Sequence, residues 1–174
     1  VEKTEAVMAG QALKTDVKIA TQAERTGARM AGQGSMVVKY TDNTSGFDYY
    51  IDHLDRAIKV EGKLSLKKSG ERAPIKPSLE ELGGKTNDHR GHIIADQFNG
   101  SPDKYNLIAQ SSKTNMSGGA WYNMEQEWAS ALKQGKKVDL SIRPQYRGTK
   151  TRPYQINVTY SIDGNITQVV IPNP

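Results

Sequence analysis

The sequence predicts an α+β fold, in which an antiparallel β-sheet carries a strand–strand–helix insert and is preceded by a helical arm. Three observations predict it. Apolar and polar residues alternate in several short stretches, which is typical of strands with one buried face. Clusters of Gly, Asp, Asn and Ser separate these stretches, as in antiparallel hairpins. One longer stretch with helical spacing lies among them, after two short apolar runs.

Residues 1–35 form the predicted arm. Apolar residues recur there at helical spacing among Lys, Glu and Gln, which indicates an amphipathic helix. Gly32 and Gly34 then break the pattern. We therefore divide the chain into an N-terminal helical arm or connector, 1–35, and a body, 36–174. The apolar positions of the arm are Val7, Met8, Ala12, Leu13, Val17 and Ala20.

The body begins with predicted strands. Residues 37–40 form the first strand, and the turn-rich segment 41–46 follows it. A second short strand covers 49–51, and a longer extended stretch covers 57–66. The segment 68–88 is rich in Lys, Ser, Gly and Pro, so we expect a loop there.

The insert follows this loop. The apolar runs 93–95 and 107–109 are each short enough to be a strand. Residues 117–119 then open a predicted helix of about four turns, which Gly135 ends. The apolar face of this helix consists of Trp121, Met124, Trp128 and Leu132.

The last part of the body predicts strands joined by a tight hairpin. Residues 138–142 and 154–162 alternate between apolar and polar side chains. The Asp-Gly-Asn turn at 163–165 then leads into a final strand over 166–171. These strands complete the predicted antiparallel sheet.

The composition restricts the classes of protein. The 174 residues include no cysteine, which excludes disulfides, thiolate metal sites and cysteine nucleophiles. No run of about 18 apolar residues is present, so we expect no membrane insertion. The net charge of +5 favours polyanionic partners such as nucleic acid, although it is also common in secreted proteins.

The segment from Asp88 to Glu125 carries the chemistry. Hydrolysis of a phosphodiester needs a base that activates water and a cation that neutralises charge around phosphorus. His92 suits the first task at neutral pH, and Gly91 allows close approach of a substrate. Arg90 can bind phosphate in a bidentate manner. We therefore predict a metal-dependent nuclease with His92 as its base; the alternative is a structural histidine.

Oxygen ligands for a hard cation follow in the same segment. Asn106, Gln110 and Asn115 carry amide oxygens, which suit Mg²⁺ because it accepts few protein ligands and keeps several waters. Asn and Gln are also common at turns and helix caps, and this structural role stays open for Asn106 and Gln110. Glu125, on the predicted helix, can hold a water bound to the cation.

These residues resemble the DNA/RNA non-specific endonucleases of the ββα-metal, or His-Me finger, superfamily. The signature of that family is Asp-Arg-Gly-His, then Asn-x3-Gln-x4-Asn, then a helix that opens near Gly-Ala-Trp and carries a Glu. The resemblance covers residues 88–128 and implies a ββα-metal finger inserted in the sheet. The matching residues are Arg90, Gly91, His92, Asn106, Gln110, Asn115, Gly119, Ala120, Trp121 and Glu125.

The resemblance implies a role for each site residue. His92 is the expected general base. Asn115 is the expected direct protein ligand of Mg²⁺, with Mn²⁺ as a second candidate metal. Glu125 is expected to fix a water on that metal. Asn106 and Gln110 are expected to shape the site and to hydrogen-bond within it, and the cut is expected to leave a 5′-phosphate.

One position departs from the family pattern. His89 stands where the family has Asp, and Asp88 lies one residue earlier. The displacement changes the side chains that orient the site, and it makes His89 a rival candidate for the base. The spacing of His89 and His92 also allows zinc, but a closed zinc site needs four ligands.

Basic residues late in the chain are the predicted contacts to nucleic acid. Residues 133–152 contain seven Lys and Arg residues and one acid. Tyr146 and Tyr154 can stack on bases or pack in the core. The alternative for the basic residues is an ordinary solvated face. The four predicted to bind phosphates, without sequence preference and with strong salt dependence, are Arg143, Arg147, Lys150 and Arg152.

The residues that flank the motif look closest to the nuclease domains of bacterial polymorphic toxins and secreted nucleases. The resemblance therefore implies a secreted protein that acts on DNA and RNA, with an immunity or inhibitor protein as a further partner. Because the sequence starts with Val and has no leader pattern, we expect a signal or delivery region outside it. Two alternatives are a catalytically impaired nucleic-acid-binding domain of the same fold and a structural or effector domain.

Overall fold

Six strands form one sheet, and two further strands form a separate hairpin. The computed structural model describes residues 36–174, so the predicted arm, 1–35, lies outside the described residues. Two 3-10 turns, Asp96–Phe98 and Lys104–Asn106, lie between β4 and β5. In chain order the strands and helices are β1 (Val38–Thr41), β2 (Asp48–Ile51), β3 (Ala57–Lys63), β4 (Asp88–His92), β5 (Leu107–Ser111), α1 (Ser112–Asn115), α2 (Ala120–Lys133), β6 (Val138–Gln145), β7 (Gln155–Ile162) and β8 (Asn165–Pro172).

The large sheet has the strand order β1-β2-β3-β6-β7-β8, and every neighbouring pair is antiparallel. Its central strands follow the predicted alternation. On β6, Val138, Leu140 and Ile142 are buried, whereas Asp139 and Arg143 are exposed. Because successive side chains of a strand point to opposite faces, this pattern gives the sheet one apolar face.

The predicted tight turn joins β7 to β8. Asp163 and Gly164 have φ angles of 49° and 83°, and the pair of Ile162 with Asn165 closes the hairpin. Positive φ at both central positions is the type I′ geometry, which suits an Asp-Gly sequence and matches the twist of the two strands.

Helix α2 packs on the apolar face of the sheet through its tryptophans. Trp121 and Trp128 are fully buried, and the ring of Trp128 meets that of Tyr160 on β7 edge-to-face, with 5.5 Å between centroids. This is a favoured geometry for aromatic pairs. The helix has 14 residues and ends before Gly135, whose φ of 77° is left-handed. The predicted four-turn helix is confirmed.

The hairpin β4–β5 is the insert, and its first strand differs from the prediction. Strand β4 is the polar segment Asp88–His92, whereas the apolar run 93–95 comes after the strand. Ile93 and Ile94 are buried in the core. Pairing with β5, with His92 opposite Leu107, defines β4. Because a polar strand has no apolar period, the hydrophobic pattern of the sequence did not reveal it.

The predicted fold class, α+β with an antiparallel sheet and a strand–strand–helix insert, is confirmed. One element was not predicted: the single turn α1 links β5 to α2. Gly119 allows the two helices to approach, since a Cβ there would overlap the carbonyl group of Thr114. Within residues 36–174, no helix is long and apolar enough to cross a membrane.

Candidate active site

A pocket of about 350 Å³ lies where the end of β4 meets helices α1 and α2. Strand β4 supplies Arg90 and His92, the end of α1 supplies Asn115, and α2 supplies Glu125. The structure therefore brings four of the predicted site residues into one cavity. Further lining residues, which the sequence did not reveal, include Arg72, Asp96 and Tyr122.

His92 is 7% exposed at the wall of this pocket. Burial, with a smaller effect of the charge on Arg72, lowers the pKa of its imidazole from 6.5 to about 4, against an opposing effect of Asp96. A buried imidazole loses hydration when it is protonated, so the neutral form is favoured. No hydrogen bond to the ring comes from any described residue, and the neutral ring can accept a proton at pH 7.

Gly91 is required beside His92 for a packing reason. A Cβ at this position would overlap the side chain of Gln110, which lies on the paired strand β5. Gln110 is fully buried, and its amide group has no hydrogen-bond partner within the described part of the chain. It does not line the pocket. The structure thus places Gln110 behind the catalytic strand, where it fills space against Gly91.

Glu125 occupies the opposite wall, on α2. The indole Nε1 of Trp121 donates a hydrogen bond to one carboxylate oxygen, Oε1, at 3.0 Å. Burial raises the pKa of Glu125 from 4.5 to about 7, although the bond from Trp121 and the charge of Arg72 act in the opposite direction. The second oxygen, Oε2, receives no hydrogen bond from the described residues and is available to the pocket.

Asn115 stands between this pocket and a neighbouring groove. Its amide nitrogen Nδ2 lies 3.4 Å from Nδ1 of His89. His89 itself lines the groove, whereas Asn115 lines the pocket. This contact engages the nitrogen end of the amide and leaves the oxygen Oδ1 without a described partner. The residue that departs from the family pattern therefore touches the predicted metal ligand.

The donors in the pocket fit a hard divalent cation. Asn115 and Glu125 offer oxygen atoms, and Mg²⁺ accepts one or two protein oxygens while it keeps several waters. Among residues 36–174, no three His, Cys, Asp or Glu side chains form a cluster that could hold a metal. The oxygen donors that the pocket presents thus suit a largely hydrated ion better than a fully protein-ligated one.

Asn106 lies outside the pocket and is fully buried. Its Oδ1 accepts hydrogen bonds from the Tyr49 hydroxyl at 2.8 Å and from the Ile94 backbone N–H at 2.9 Å. Its Nδ2 donates to the carbonyl oxygens of Ile94 and Ser101, each at 2.8 Å. These bonds use both ends of the amide. Asn106 therefore fixes the chain that follows His92 and shapes the site from behind.

Arg90 holds the loop that carries Arg72. The Arg90 Nη1 donates to the backbone carbonyl oxygen of Pro77 at 3.1 Å and reaches that of Ile75 at 3.5 Å. Arg72 lines the pocket wall, and its charge acts on both His92 and Glu125. No sequence signal identified it, because a single arginine in a loop has no period or spacing that marks it.

Arg152 corrects the prediction of a phosphate contact. Its Nε and Nη2 donate to the two carboxylate oxygens of Asp88 at 2.6 and 2.8 Å. Its Nη1 donates to the carbonyl oxygen of Asn173, and Nη2 also donates to that of Pro174, each at 2.7 Å. The guanidinium already has four acceptors, so we withdraw it from the phosphate contacts. Asp88, the displaced acid of the motif, thus faces Arg152.

The other predicted nucleic-acid contacts separate into two groups. Arg147 and Lys150 are exposed and line a groove with Tyr154. Arg143 is exposed on β6 and lies outside that groove. Tyr146 donates its hydroxyl to the carbonyl oxygen of Ala57 at 2.9 Å, and burial raises its pKa. It is a packing residue in the described structure.

Comparison with known families gives one assignment. Residues 38–164 match the family model for DNA/RNA non-specific endonuclease. The matched range includes every strand and helix from β1 to β7, together with all the predicted site residues.

A search of characterised proteins finds similarity to the type VII secretion system protein EssD of Staphylococcus aureus strain USA300. The two are 35% identical over 140 residues, which covers 76% of this chain and 23% of EssD. The EssD protein of strain NCTC 8325 matches to the same extent. The chain thus spans about a quarter of the length of these relatives.

Solved structures share the fold at low sequence identity. NucA from Streptococcus agalactiae without metal has a TM-score of 0.60 and 20% identity, with 84% of this chain and 83% of NucA covered. The magnesium-bound form of NucA has a TM-score of 0.56 and 18% identity over 87% and 76% of the two chains. Sda1 nuclease with bound zinc has a TM-score of 0.58 and 17% identity over 83% and 79%.

Proposed function

The chain belongs to the DNA/RNA non-specific endonuclease family, and on this premise we propose that it hydrolyses phosphodiester bonds of DNA and RNA with the help of a divalent cation. The observation that supports this best is that His92, whose imidazole is kept neutral by burial, lines the same pocket as Asn115 and Glu125, which carry oxygen donors. A base and a cation site in one cavity are the two requirements of the reaction.

His92 acts as the general base in this proposal. A water molecule forms a bond to phosphorus and gives a proton to the imidazole, while the bond from phosphorus to the 3′-oxygen breaks and that oxygen takes a proton from solvent water. The products are a 5′-phosphate and a 3′-hydroxyl. Burial keeps His92 neutral before substrate binds. A phosphate anion in the pocket then raises the pKa of His92, because negative charge nearby stabilises the imidazolium.

Asn115 and Glu125 would hold the cation in this proposal, Asn115 as a direct ligand and Glu125 through a water. Mg²⁺ is the first candidate and Mn²⁺ the second; when bound, either neutralises negative charge on the phosphate oxygens. Near pH 7 the carboxyl of Glu125 is about half protonated without metal. Binding of a cation therefore competes with that proton, as is usual for carboxylate sites.

Arg72 and Arg90 bind the phosphate group. Both residues line the pocket, and the Arg90 guanidinium has further N–H donors besides Nη1, which bonds to Pro77 and Ile75. Charge-assisted bonds from guanidinium to phosphate oxygens are short and strong. Two arginines from different segments would thus orient the phosphorus atom towards His92.

The biological setting we propose is a secreted nuclease or an antibacterial toxin domain with an immunity or inhibitor protein as a partner. Support comes from the similarity to EssD, which is named as a type VII secretion system protein. Further support comes from an extracellular endonuclease that shares the fold with a TM-score of 0.52.

The test uses closed circular plasmid and, separately, structured RNA, each in Mg²⁺ and in EDTA. Wild type should nick, linearise and degrade the plasmid and consume the RNA in Mg²⁺ only. His92→Ala should lower the rate by about two to four orders of magnitude, the usual value of general base catalysis. His53→Ala is the matched control, because His53 lies outside the pocket.

The outcome separates this proposal from a second one. Because His89 replaces the Asp of the family beside Asn115, the alternative is a domain that binds nucleic acid without cutting it. Plasmid that stays intact in Mg²⁺ and Mn²⁺ but shifts on a gel would favour that alternative. Equal cleavage by wild type and His92→Ala would remove His92 from the mechanism.

A further inference from the structure

A second concave surface begins where the catalytic pocket ends. We name it the basic groove. It consists of two adjoining parts of about 690 and 640 Å³, which share the lining residues Lys85 and Pro174. The first part includes His89, whose contact with Asn115 forms the boundary with the pocket. The second part reaches Tyr154 at the far end. A strand leaving the pocket past Asn115 would enter this groove.

The groove carries positive charge without compensation. Lys85 and Lys113 line the first part, and Arg147 and Lys150 line the second. None of these four side chains forms a salt bridge within the described range 36–174. The acid of the groove, Asp88, is already paired with Arg152. Four such cations, distributed over two adjoining parts of one groove, suit a chain of phosphates.

The far end of the groove has an aromatic surface. Tyr154 is 37% exposed, and the guanidinium carbon of Arg147 lies 4.6 Å from the centroid of its ring. Arg147 and Tyr154 thus form a stacked pair of flat groups at the wall. Nucleobases stack on tyrosine rings and on guanidinium planes, and stacking tolerates any base.

The backbone at Tyr154 is held in a fixed position relative to the β4–β5 hairpin. The backbone of Tyr154 donates to Gln145 and accepts from Asn173, each at 2.9 Å. The buried side chain of Asn173 donates to the carbonyl oxygens of Pro153 and Ala109 at 2.7 and 3.0 Å. Ala109 belongs to β5, the strand that pairs with β4. The side-chain amide of Asn173 therefore links the backbone around Tyr154 to the β4–β5 hairpin. A base held at Tyr154 is therefore held at a set distance from His92.

We infer that the basic groove binds single-stranded nucleic acid on one side of the scissile phosphate, with a base stacked on Tyr154 and Arg147 and with phosphates on Lys85, Lys113 and Lys150. This inference rests on the proposed function, because it takes the pocket as the place of cleavage. An unpaired strand is the fitting ligand, since bases within a duplex already stack on each other and do not reach a side-chain ring.

The experiment measures the affinity of labelled oligothymidylate in EDTA, where the strand stays intact. Tyr154→Ala should weaken binding about tenfold, towards the lower end of the effect of removing one aromatic stacking partner. Tyr154→Phe should bind like wild type, because it keeps the ring. An abasic oligonucleotide of the same length offers phosphates without bases, and Tyr154→Ala should bind it as well as wild type does.

Tyr50→Ala is the matched control. Tyr50 lies on β2 with Lys59 at 5.0 Å over its ring, so it is a similar cation–ring pair on the large sheet, outside the groove. This variant should bind oligothymidylate like wild type. Thermal unfolding of each variant checks that the fold is retained, and Arg147→Ala gives a second way to disrupt the stacked pair.

Salt dependence tests the binding of phosphates. For single strands, the slope of log Kobs against log salt changes by about 0.7 for each phosphate that the protein no longer neutralises. Lys85→Ala and Lys113→Ala should each reduce the slope by about that amount. Tyr154→Ala should leave it unchanged. A Lys113→Ala slope equal to that of wild type would remove the first part of the groove from the path, because Lys113 lines that part alone.

Three results would overturn the inference. Tyr154→Ala could bind oligothymidylate like wild type, its affinity for the abasic strand could fall by the same factor, or duplex DNA could show the same tenfold weakening. The binding experiment needs no cleavage. If the plasmid and RNA assays fail while Tyr154→Ala still weakens binding, the proposed function fails and the groove stands. If cleavage holds and binding is unchanged, only the groove fails.

Discussion

The catalytic pocket and the basic groove meet at Asn115 and His89, yet they use their charged residues in opposite ways. In the pocket, burial moves the pKa of His92 to about 4 and that of Glu125 to about 7. In the groove, Arg147 and Lys150 are exposed to water and carry their charge at the surface. Desolvation therefore governs the titration of the pocket residues, whereas the proposed binding by the groove would rest on surface charge and one aromatic ring.

This difference has a structural origin. Glu125 lies one helical turn after the fully buried Trp121, on the same side of α2. Packing of this side of the helix against the core therefore also buries the Glu125 carboxyl group. The groove is lined largely by loops on both sides of the hairpin, where side chains reach solvent. Substitutions in the pocket should thus act on protonation and metal, and those in the groove on affinity.

The largest effect is expected inside the groove, where its two parts adjoin and an ion pair is buried. Arg152 and Asp88 have side chains that are 10% and 5% exposed, and Arg152→Ala would leave the Asp88 carboxylate buried without its partner. Breaking one partner of a buried ion pair costs about 3–5 kcal/mol. Urea unfolding should show this decrease in stability for Arg152→Ala, whereas Arg147→Ala, an exposed arginine, should stay within about 0.5 kcal/mol of wild type.

Equal stability of the two arginine variants would contradict the comparison. It would mean that the Arg152–Asp88 ion pair contributes no stability. The backbone around Tyr154 would then pack against the β4–β5 hairpin without help from that pair. Asp88→Asn in the same experiment separates charge from shape, because the amide keeps the size of the side chain and removes its negative charge.

The pocket makes a second prediction, on pH. Between pH 4.5 and about 7 the raised pKa of Glu125 makes the folded state bind more protons, so its contribution to stability falls as pH rises. Between about pH 4 and 6.5 the lowered pKa of His92 does the reverse, so its contribution rises with pH. Each shift corresponds to at most about 3 kcal/mol. In wild type the two effects oppose each other.

The measurement is the free energy of unfolding against pH in EDTA. The free energy of unfolding of wild type should vary little between pH 4.5 and 6.5, because the contributions of Glu125 and His92 oppose each other. Glu125→Gln should show stability that rises with pH over this range, and His92→Ala should show stability that falls. Three parallel curves would mean that neither group is desolvated in the folded protein. Glu127→Gln is the control, because Glu127 is exposed on the same helix.

The pocket was largely predictable from the sequence, whereas the groove was predictable only in part: Arg147, Lys150 and Tyr154 were predicted to contact nucleic acid, but Lys85 and Lys113 were not. His92, Asn115 and Glu125 lie in one continuous segment, so the spacing of the motif sufficed to place them together. Arg147 and Arg152 look alike in the sequence, but only the fold brings Asp88 against Arg152, 64 positions away. Asn173, which holds the backbone around Tyr154, carries no sequence signal either, since its three backbone partners come from distant segments.

Some elements of the fold were likewise predictable from the sequence, and others were not. Strands β6 and β7 followed from alternation, because their burial is one-sided. Strand β8, which is mostly exposed, followed from the Asp-Gly turn that precedes it. Strand β4 did not, since its residues serve the site and the pairing with β5 rather than burial. Sequence patterns report hydrophobic burial well. They report tertiary polar contacts poorly, because any Asp or Arg can pair with many others.

A third, smaller effect concerns the cation. Asn115→Ala should raise the Mg²⁺ concentration for half-maximal cleavage at least about tenfold, since even outer partners of metal ligands change affinity by that factor. The rate at saturating Mg²⁺ should recover in part. Asn123→Ala is the matched control, an asparagine on α2 that lies outside the pocket. An unchanged Mg²⁺ titration would exclude Asn115 as a ligand and leave Glu125 as the main donor of the pocket.

The smallest effect tests the boundary itself. Nδ1 of His89 can accept a hydrogen bond from the Asn115 amide, which would keep Oδ1 turned towards the pocket. At 3.4 Å this bond is long, so His89→Ala should raise the Mg²⁺ requirement only about threefold, the low end for one hydrogen bond. His89→Asp should restore the requirement or lower it, because a carboxylate keeps an acceptor and adds attraction for the cation. In both variants the rate at saturating Mg²⁺ should match that of wild type. A decrease in rate that added Mg²⁺ does not restore would instead indicate that His89 acts as a base. His89 would then belong to the pocket rather than to the groove.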